Sequence, residues 1–318
     1  MYALENTEGV PGTADGGASR NVIDMRSAPS PQKRLYPKTL TVFLDASPSG
    51  KRRAVHAAAL AQRWDAHLIG VHVVFAGVRL DPPSDSWAIG ERAFQAVIAH
   101  EKRLRANAEA VAADVSEYFQ GLCTRWNVAG ELRRIDSHRP TQEAILNALH
   151  SDLVIVGHPE PNGLPDDVTL ETILVASGVP LLVLPNAWPG EAIGNDVLIG
   201  WNASRKARRT ISDAMPFLVD AQAVTTLVVD PPRGHRHGEE PGADIALQLA
   251  RHGVHLNVER VMSNGSPIPE VIISHAVQSR SDMLVFGAYG HSRLRELLLG
   301  GTTRTLLAQV PVPVLVSI

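Results

Sequence analysis

The chain has 318 residues, 44% hydrophobic and 20% charged, with a formal net charge of −3. Those values describe a globular protein with a substantial core and exclude the basic footprint of a nucleic-acid binder. No apolar run reaches the roughly 18 residues of a membrane helix, and the single cysteine, Cys123, excludes an internal disulfide or a multi-cysteine metal site and fits a reducing cytosol.

Residues 1–37 are rich in Gly, Ser, Pro and Ala, lack helical or strand periodicity, and read as a disordered tail. The acids in "ALENTEGVPGTAD" argue against a transit peptide. "LTVFL" (40–44) is then a continuous apolar strand, and Ala54, Ala57, Ala58, Ala61 and Trp64 recur at helix spacing. "LIGVHVV" (68–74) is the next strand, followed by a long helix over roughly 88–121. "GELRRI" (130–135) alternates like a half-exposed edge strand guarded by Arg133 and Arg134. A helix begins near Pro140, and "LVIV" (153–156) and "PLLVL" (180–184) are buried strands.

The same order then returns. "TVFLDAS" (41–47) resembles "VLIGWNAS" (197–204), "SDLVIVGH" (151–158) resembles "SDMLVFGA" (281–288), and "SGVPLLVLP" (177–185) resembles "QVPVPVLVS" (309–317). The chain is a tandem repeat: a first half over 38–186, a linker over 187–196 and a second half over 197–318. Continuous apolar strands alternating with helices predict an α/β fold. Each half is expected to be a five-stranded parallel sheet of order 3-2-1-4-5 with about four helices spread over both faces.

Such sheets bind ligands beyond the carboxyl ends of the strands, where the order reverses between strands 1 and 4. In the second half that point brings together Asn202 and the stretch "GAYGHSRLRELLLGGTTRTLL" (287–307). Glycines let backbone N–H groups approach phosphate oxygens, a helix N-terminus adds positive potential, and Thr302 and Thr303 offer hydroxyls. The alternative is a helix C-cap at Gly300 and a tight strand exit at Gly287. "RKARR" (205–209) either draws anions to the crevice or is a solvated face.

The spacing Gly287, two residues, Gly290, nine residues, Gly300, with the terminal "VPVPVLVS", closely resembles the universal stress protein family. The resemblance covers nearly all of 38–318. It implies two Rossmann-like domains of the adenine nucleotide alpha hydrolase type, ATP or ADP binding with or without magnesium, and pairing of units through their last strands. That pairing would be intramolecular, with a homodimer as a further form, in a cytoplasmic protein that uses neither nucleic acid nor membrane. By position, Asn202 would contact the nucleoside, Val228 would lie near adenine, and Gly287, Gly290, His291, Gly300, Gly301 and Thr302 would surround the phosphates, with Thr303 as a further donor.

Two departures stand out in the second half: Gly301 occupies a Ser/Thr position, and Asn202 replaces an Asp. The first half departs further. Asp45 is in place, but after Gly157 the chain reads "HPEPNGLPDDVTLETILVASG", with no second glycine at the right spacing. Asp166, Asp167 and Glu171 repel phosphates, and Pro159, Pro161 and Pro165 lack N–H donors. The first half is therefore expected to be a built-in structural partner that does not bind a nucleotide in this way.

Three functional classes remain: an adenine-nucleotide regulator, a ligand-free interaction module, and a slow ATPase. No general base presents itself for the third. His235 and His237 with Glu239 and Glu240 read as a solvated loop or a metal site. Ser204 with Asp213 and a histidine lacks the nucleophile elbow of a hydrolase. "LDASPSG" and "WNASRKA" exclude the Ser-Gly-Gly-x-Asp-Ser pyrophosphatase loop.

Overall fold

Ten strands form a single sheet of order β3-β2-β1-β4-β5-β10-β9-β6-β7-β8. The structure is a computed structural model that describes residues 36–74, 91–136, 139–160, 164–165, 168–189, 192–231, 240–288, 305–308 and 311–318. The predicted tail falls almost wholly outside these residues.

In the first half the elements are β1 (Thr39–Leu44), α1 (Pro48–Trp64), β2 (His67–Val73), α2 (Glu91–Trp126), β3 (Gly130–Ile135), α3 (Pro140–Leu149), β4 (Leu153–Gly157), α4 (Leu170–Ser177) and β5 (Leu181–Leu184). In the second they are β6 (Asp196–Gly200), α5 (Arg205–Leu218), β7 (Ala223–Val229), α6 (Ala243–Ala250), β8 (Leu256–Val261), α7 (Ile268–Gln278), β9 (Met283–Gly287) and β10 (Val314–Ser317). Each half has the strand order 3-2-1-4-5 with parallel pairing throughout. The 36-residue α2 has an 8-residue counterpart in α6, which accounts for the shorter second copy.

The halves meet where β5 and β10 pair antiparallel, with Val183 opposite Val314 and Leu181 opposite Val316. One apolar layer on each face of the sheet runs through both halves. Across the joint, Trp64 of α1 meets Phe217 of α5 edge-on at 4.8 Å, and Tyr36 donates to Asp220 at 2.8 Å. Arg63 pairs with the same carboxylate at 3.0 Å. Burial on both faces explains the unbroken apolar strands, whereas β3 and β8 at the two edges carry charge.

The repeated Ser-Asp pair has a structural task. Asp152 accepts the N–H groups of Lys38 and Thr39, which start β1. Asp282 accepts those of Gly194, Asn195 and Asp196, which start β6. Each carboxylate ties the opening of strand 1 to the strand beside it.

Candidate functional site

The order reverses at β1/β4 in the first half and β6/β9 in the second, so each half has a crevice at the carboxyl ends of those strands. In the second half the chain leaves β6 through Trp201, whose N–H bonds Leu227 O at 2.9 Å. Asn202 Oδ1 accepts the Ser204 N–H at 3.2 Å, and Ala203 takes a left-handed φ of 54° to close the turn. Ser204 then caps α5, accepting Ala207 N–H at 3.1 Å. The Asn202 amide nitrogen has no protein partner among the described residues. Arg205 and Lys206, exposed in the first turn of α5, make no ion pair among those residues, whereas Arg209 is paired with Asp213 at 3.0 Å.

Gly287 ends β9 against the first turn of α5. A Cβ there would overlap the backbone of Lys206 and Ala207, so glycine is what lets the helix start lie on the strand end. Val228 lies in β7 at 1% exposure, and its side chain is covered by the turn at Gly242. Asn202 and Gly287 therefore flank one crevice, while the Val228 side chain is part of the core. Gly290, His291, Gly300, Gly301, Thr302 and Thr303 lie outside the described residues.

The first half builds the same turn and fills it differently. The Ser47 N–H donates to Asp45 Oδ1 at 2.9 Å, and Ser47 caps α1 by accepting Gly50 N–H at 2.9 Å. These positions match Asn202, Ser204 and Ala207. Arg53, one position from the buried alanine face of α1, is itself only 5% exposed. Its guanidinium pairs with Asp45 at 2.5 Å and donates to Phe43 O at 2.8 Å, and it lies directly over Gly157, the end of β4. A buried guanidinium needs both the carboxylate and the carbonyl to offset its lost hydration. The matching residue of the second half is Thr210, uncharged and fully buried, which donates to Lys206 O at 3.0 Å. His72 stands where the second half has Val228, buried with Nδ1 2.9 Å from Leu44 O.

Glu160 adds a second carboxylate. Its Oε1 accepts the hydroxyls of Ser47, at 3.2 Å, and Ser49, both in the opening turn of α1. Beside this network lies a cavity of about 510 Å³, with Phe43, Val168 and Leu170 among its apolar walls and Asp45, Arg53, Glu160 and Glu171 among its polar ones. His158 also lines it, and burial holds its pKa below the ordinary 6.5.

Arg53 and Glu160 are the residues that sequence reasoning missed. Arg53 reads as one charge among "KRRAV", and its only signal is its place beside the buried face of α1. Glu160 hides in "HPEP".

The remaining candidates are resolved simply. Ser204 is a helix cap and Asp213 an ion-pair partner, so they are not joined in a triad. Burial raises the pKa of the Cys123 thiol, which keeps it protonated. His235, His237 and Glu239 lie outside the described residues, and Glu240 pairs with Arg260 at 3.0 Å. Asp166, Asp167 and Pro161 lie outside them as well.

Residues 203–317 match the model of the universal stress protein family. A universal stress protein of Synechocystis is 36% identical over 67 residues, which span 21% of this chain and 22% of that protein. Among solved structures, a universal stress protein from Archaeoglobus fulgidus superposes with a TM-score of 0.61 at 16% identity, covering 88% of this chain and 97% of that one. A protein from Pseudomonas aeruginosa described as a putative universal stress protein gives 0.50 at 17% identity, covering 90% and 94%. At such identities these two likenesses establish the fold alone.

Proposed function

We propose that this chain, whose residues 203–317 match the universal stress protein family model, is a cytosolic stress-response regulator whose second half binds one adenine nucleotide, ATP or ADP. The observation that carries this reading is the place of the glycine sequence. It departs from Gly287, at the end of β9, directly across the switch point from Asn202. The exposed Arg205 and Lys206 and the N-terminus of α5 favour an anion there. Asn202 would hold the nucleoside through its amide nitrogen. Backbone near Val228, whose side chain is buried, would meet the base, and Gly290, His291, Gly300, Gly301, Thr302 and Thr303 would hold the phosphates. No group of three metal-binding side chains exists among the described residues; magnesium, if bound, would come with the nucleotide. The first half serves as a built-in partner through β5 and β10, and a homodimer of whole chains is a further expectation. No helix among the described residues is long and apolar enough to cross a membrane.

The test is mass spectrometry of small molecules released from the purified protein, with thermal shift against ATP, ADP and AMP. A bound nucleotide stabilises the native state by mass action, about 2.7 kcal/mol at a hundredfold excess over Kd. Gly290→Asp should abolish that shift and leave the melting temperature of the ligand-free protein unchanged. An unchanged affinity would overturn the site. The absence of any nucleotide or shift in the unaltered chain would leave an interaction module, a reading that Gly301 in a Ser/Thr position favours.

A further inference from the structure

The nucleotide reading leaves the first-half cavity unused. Its volume, about 510 Å³, lies within the range of small-molecule sites. The chain itself holds its walls open. Val168 N–H bonds Pro165 O at 2.8 Å, and Thr169 caps α4 by accepting Thr172 N–H at 3.0 Å. Val168 and Leu170, at 3% and 6% exposure, anchor this segment in the core, as does Phe43 at 1%. Leu164 and Pro165 line the cavity half-buried.

Each charged side chain of the lining is already engaged. Arg53 is committed to Asp45 and to Phe43 O. Asp45 also accepts the Ser47 N–H, and Glu160 accepts the Ser47 and Ser49 hydroxyls at the start of α1. Glu171 is engaged within the chain and lies in the first turn of α4. Both glutamates thus stand at helix N-termini, whose positive ends offset their charge. Burial holds the pKa of His158 below 6.5, so its ring is neutral at pH 7. An ion entering this cavity loses hydration and meets no free countercharge, whereas an uncharged molecule gives up little.

We propose that this cavity is a binding site for an uncharged, mainly apolar organic molecule, held by burial of its body against Phe43, Leu164, Val168 and Leu170. The site stands whether or not the second half binds a nucleotide.

The experiment uses the full chain with indole and phenethyl alcohol as uncharged probes, and phenethylamine and phenylacetate as charged counterparts of the alcohol, read by ligand-observed NMR titration. The expected result is binding of both uncharged probes at about 1 mM or tighter, with the amine and the acid at least about tenfold weaker. Leu164→Trp fills the cavity from its half-buried position and should abolish indole binding with the melting temperature held. Leu164→Asp places an uncompensated charge at the same position and should weaken it about tenfold. Gly290→Asp, which tests the nucleotide site, should leave indole affinity unchanged. An amine or acid bound as tightly as the alcohol overturns the preference for an uncharged ligand. No binding of either uncharged probe at about 10 mM, tenfold above a 1 mM affinity, overturns the site. Indole binding that survives both Leu164 variants, or that is lost in Gly290→Asp, places the ligand elsewhere and overturns it as well.

Discussion

The two crevices of this protein are built by one chain path and finished by different side chains. In both, a strand ends, an Asx turn bends the chain, a serine caps the next helix, and a glycine ends the neighbouring strand. In the first half the turn residue is Asp45, locked to the buried Arg53, and Glu160 closes over the helix start. In the second the corresponding residues are Asn202 and Thr210, both uncharged, and the first turn of α5 carries exposed Arg205 and Lys206. The lesson is that backbone geometry creates the crevice, while a few charged side chains set the charge that lines it. A repeat can therefore keep its fold and change that lining through substitutions at positions 45 and 53 and one added carboxylate.

The largest expected effect tests the buried pair. Arg53→Met leaves Asp45, 12% exposed, without its cation, and should cost about 3–5 kcal/mol in urea unfolding. Thr210→Val in the second half removes a neutral hydrogen bond worth about 1 kcal/mol. Similar losses for both would break the contrast between the halves.

Next come the two strand-end glycines. Gly287→Ala forces a methyl into the backbone of α5, an overpacking cost of about 1–3 kcal/mol. Gly157→Ala meets the Arg53 guanidinium, a side-chain end that shifts more readily than helix backbone. The melting temperature should fall further for the former. The reverse order would mean that Arg53 is held more rigidly than the start of α5.

A smaller effect sharpens the repeat itself. Asp282→Ala strips acceptors from three backbone N–H groups and should cost about 1–2 kcal/mol. Asp152→Ala releases two N–H groups at an exposed position, where water replaces the carboxylate, and should cost less. Equal values by chemical denaturation would refute the burial argument.

The smallest effect depends on pH and belongs to the first half. Burial holds His158 below 6.5; burial and then the Arg52 charge do the same to His56. The unfolded chain therefore binds protons more readily than the native state just below the ordinary value. Stability present above about 6.5 is lost as pH falls from there through the lower folded-state values. The double variant His56→Gln, His158→Gln should show a flatter fall of melting temperature between about pH 7.5 and 5.5. An unaltered acid limb would show that neither ring contributes.

Much of this molecule was legible in the sequence. "LTVFL", "LVIV", "PLLVL" and "MLVF" are apolar without a break because both faces of their strands are covered, and they became β1, β4, β5 and β9. The internal likeness of "SDLVIVGH" and "SDMLVFGA" gave the tandem order, and "GELRRI" gave an edge strand. Less could be read where function depends on a lateral approach. Arg53 is a polar residue beside an alanine face, and its partners Asp45, Phe43 and Gly157 come from three segments. Glu160 sits among prolines that announce only a loop. Val228 was placed near adenine by position, and only the covering turn at Gly242 shows that its side chain belongs to the core.

The sequence by itself determined the layered α/β class and the repeat, because hydrophobic periodicity records which faces of each element are covered. The tertiary structure decided that β5 and β10 join the halves into one sheet, and that the first crevice is filled by its own ion pair and carboxylate. Those outcomes depend on distances between residues far apart along the chain, and a local pattern of apolar and polar positions carries no measure of such distances.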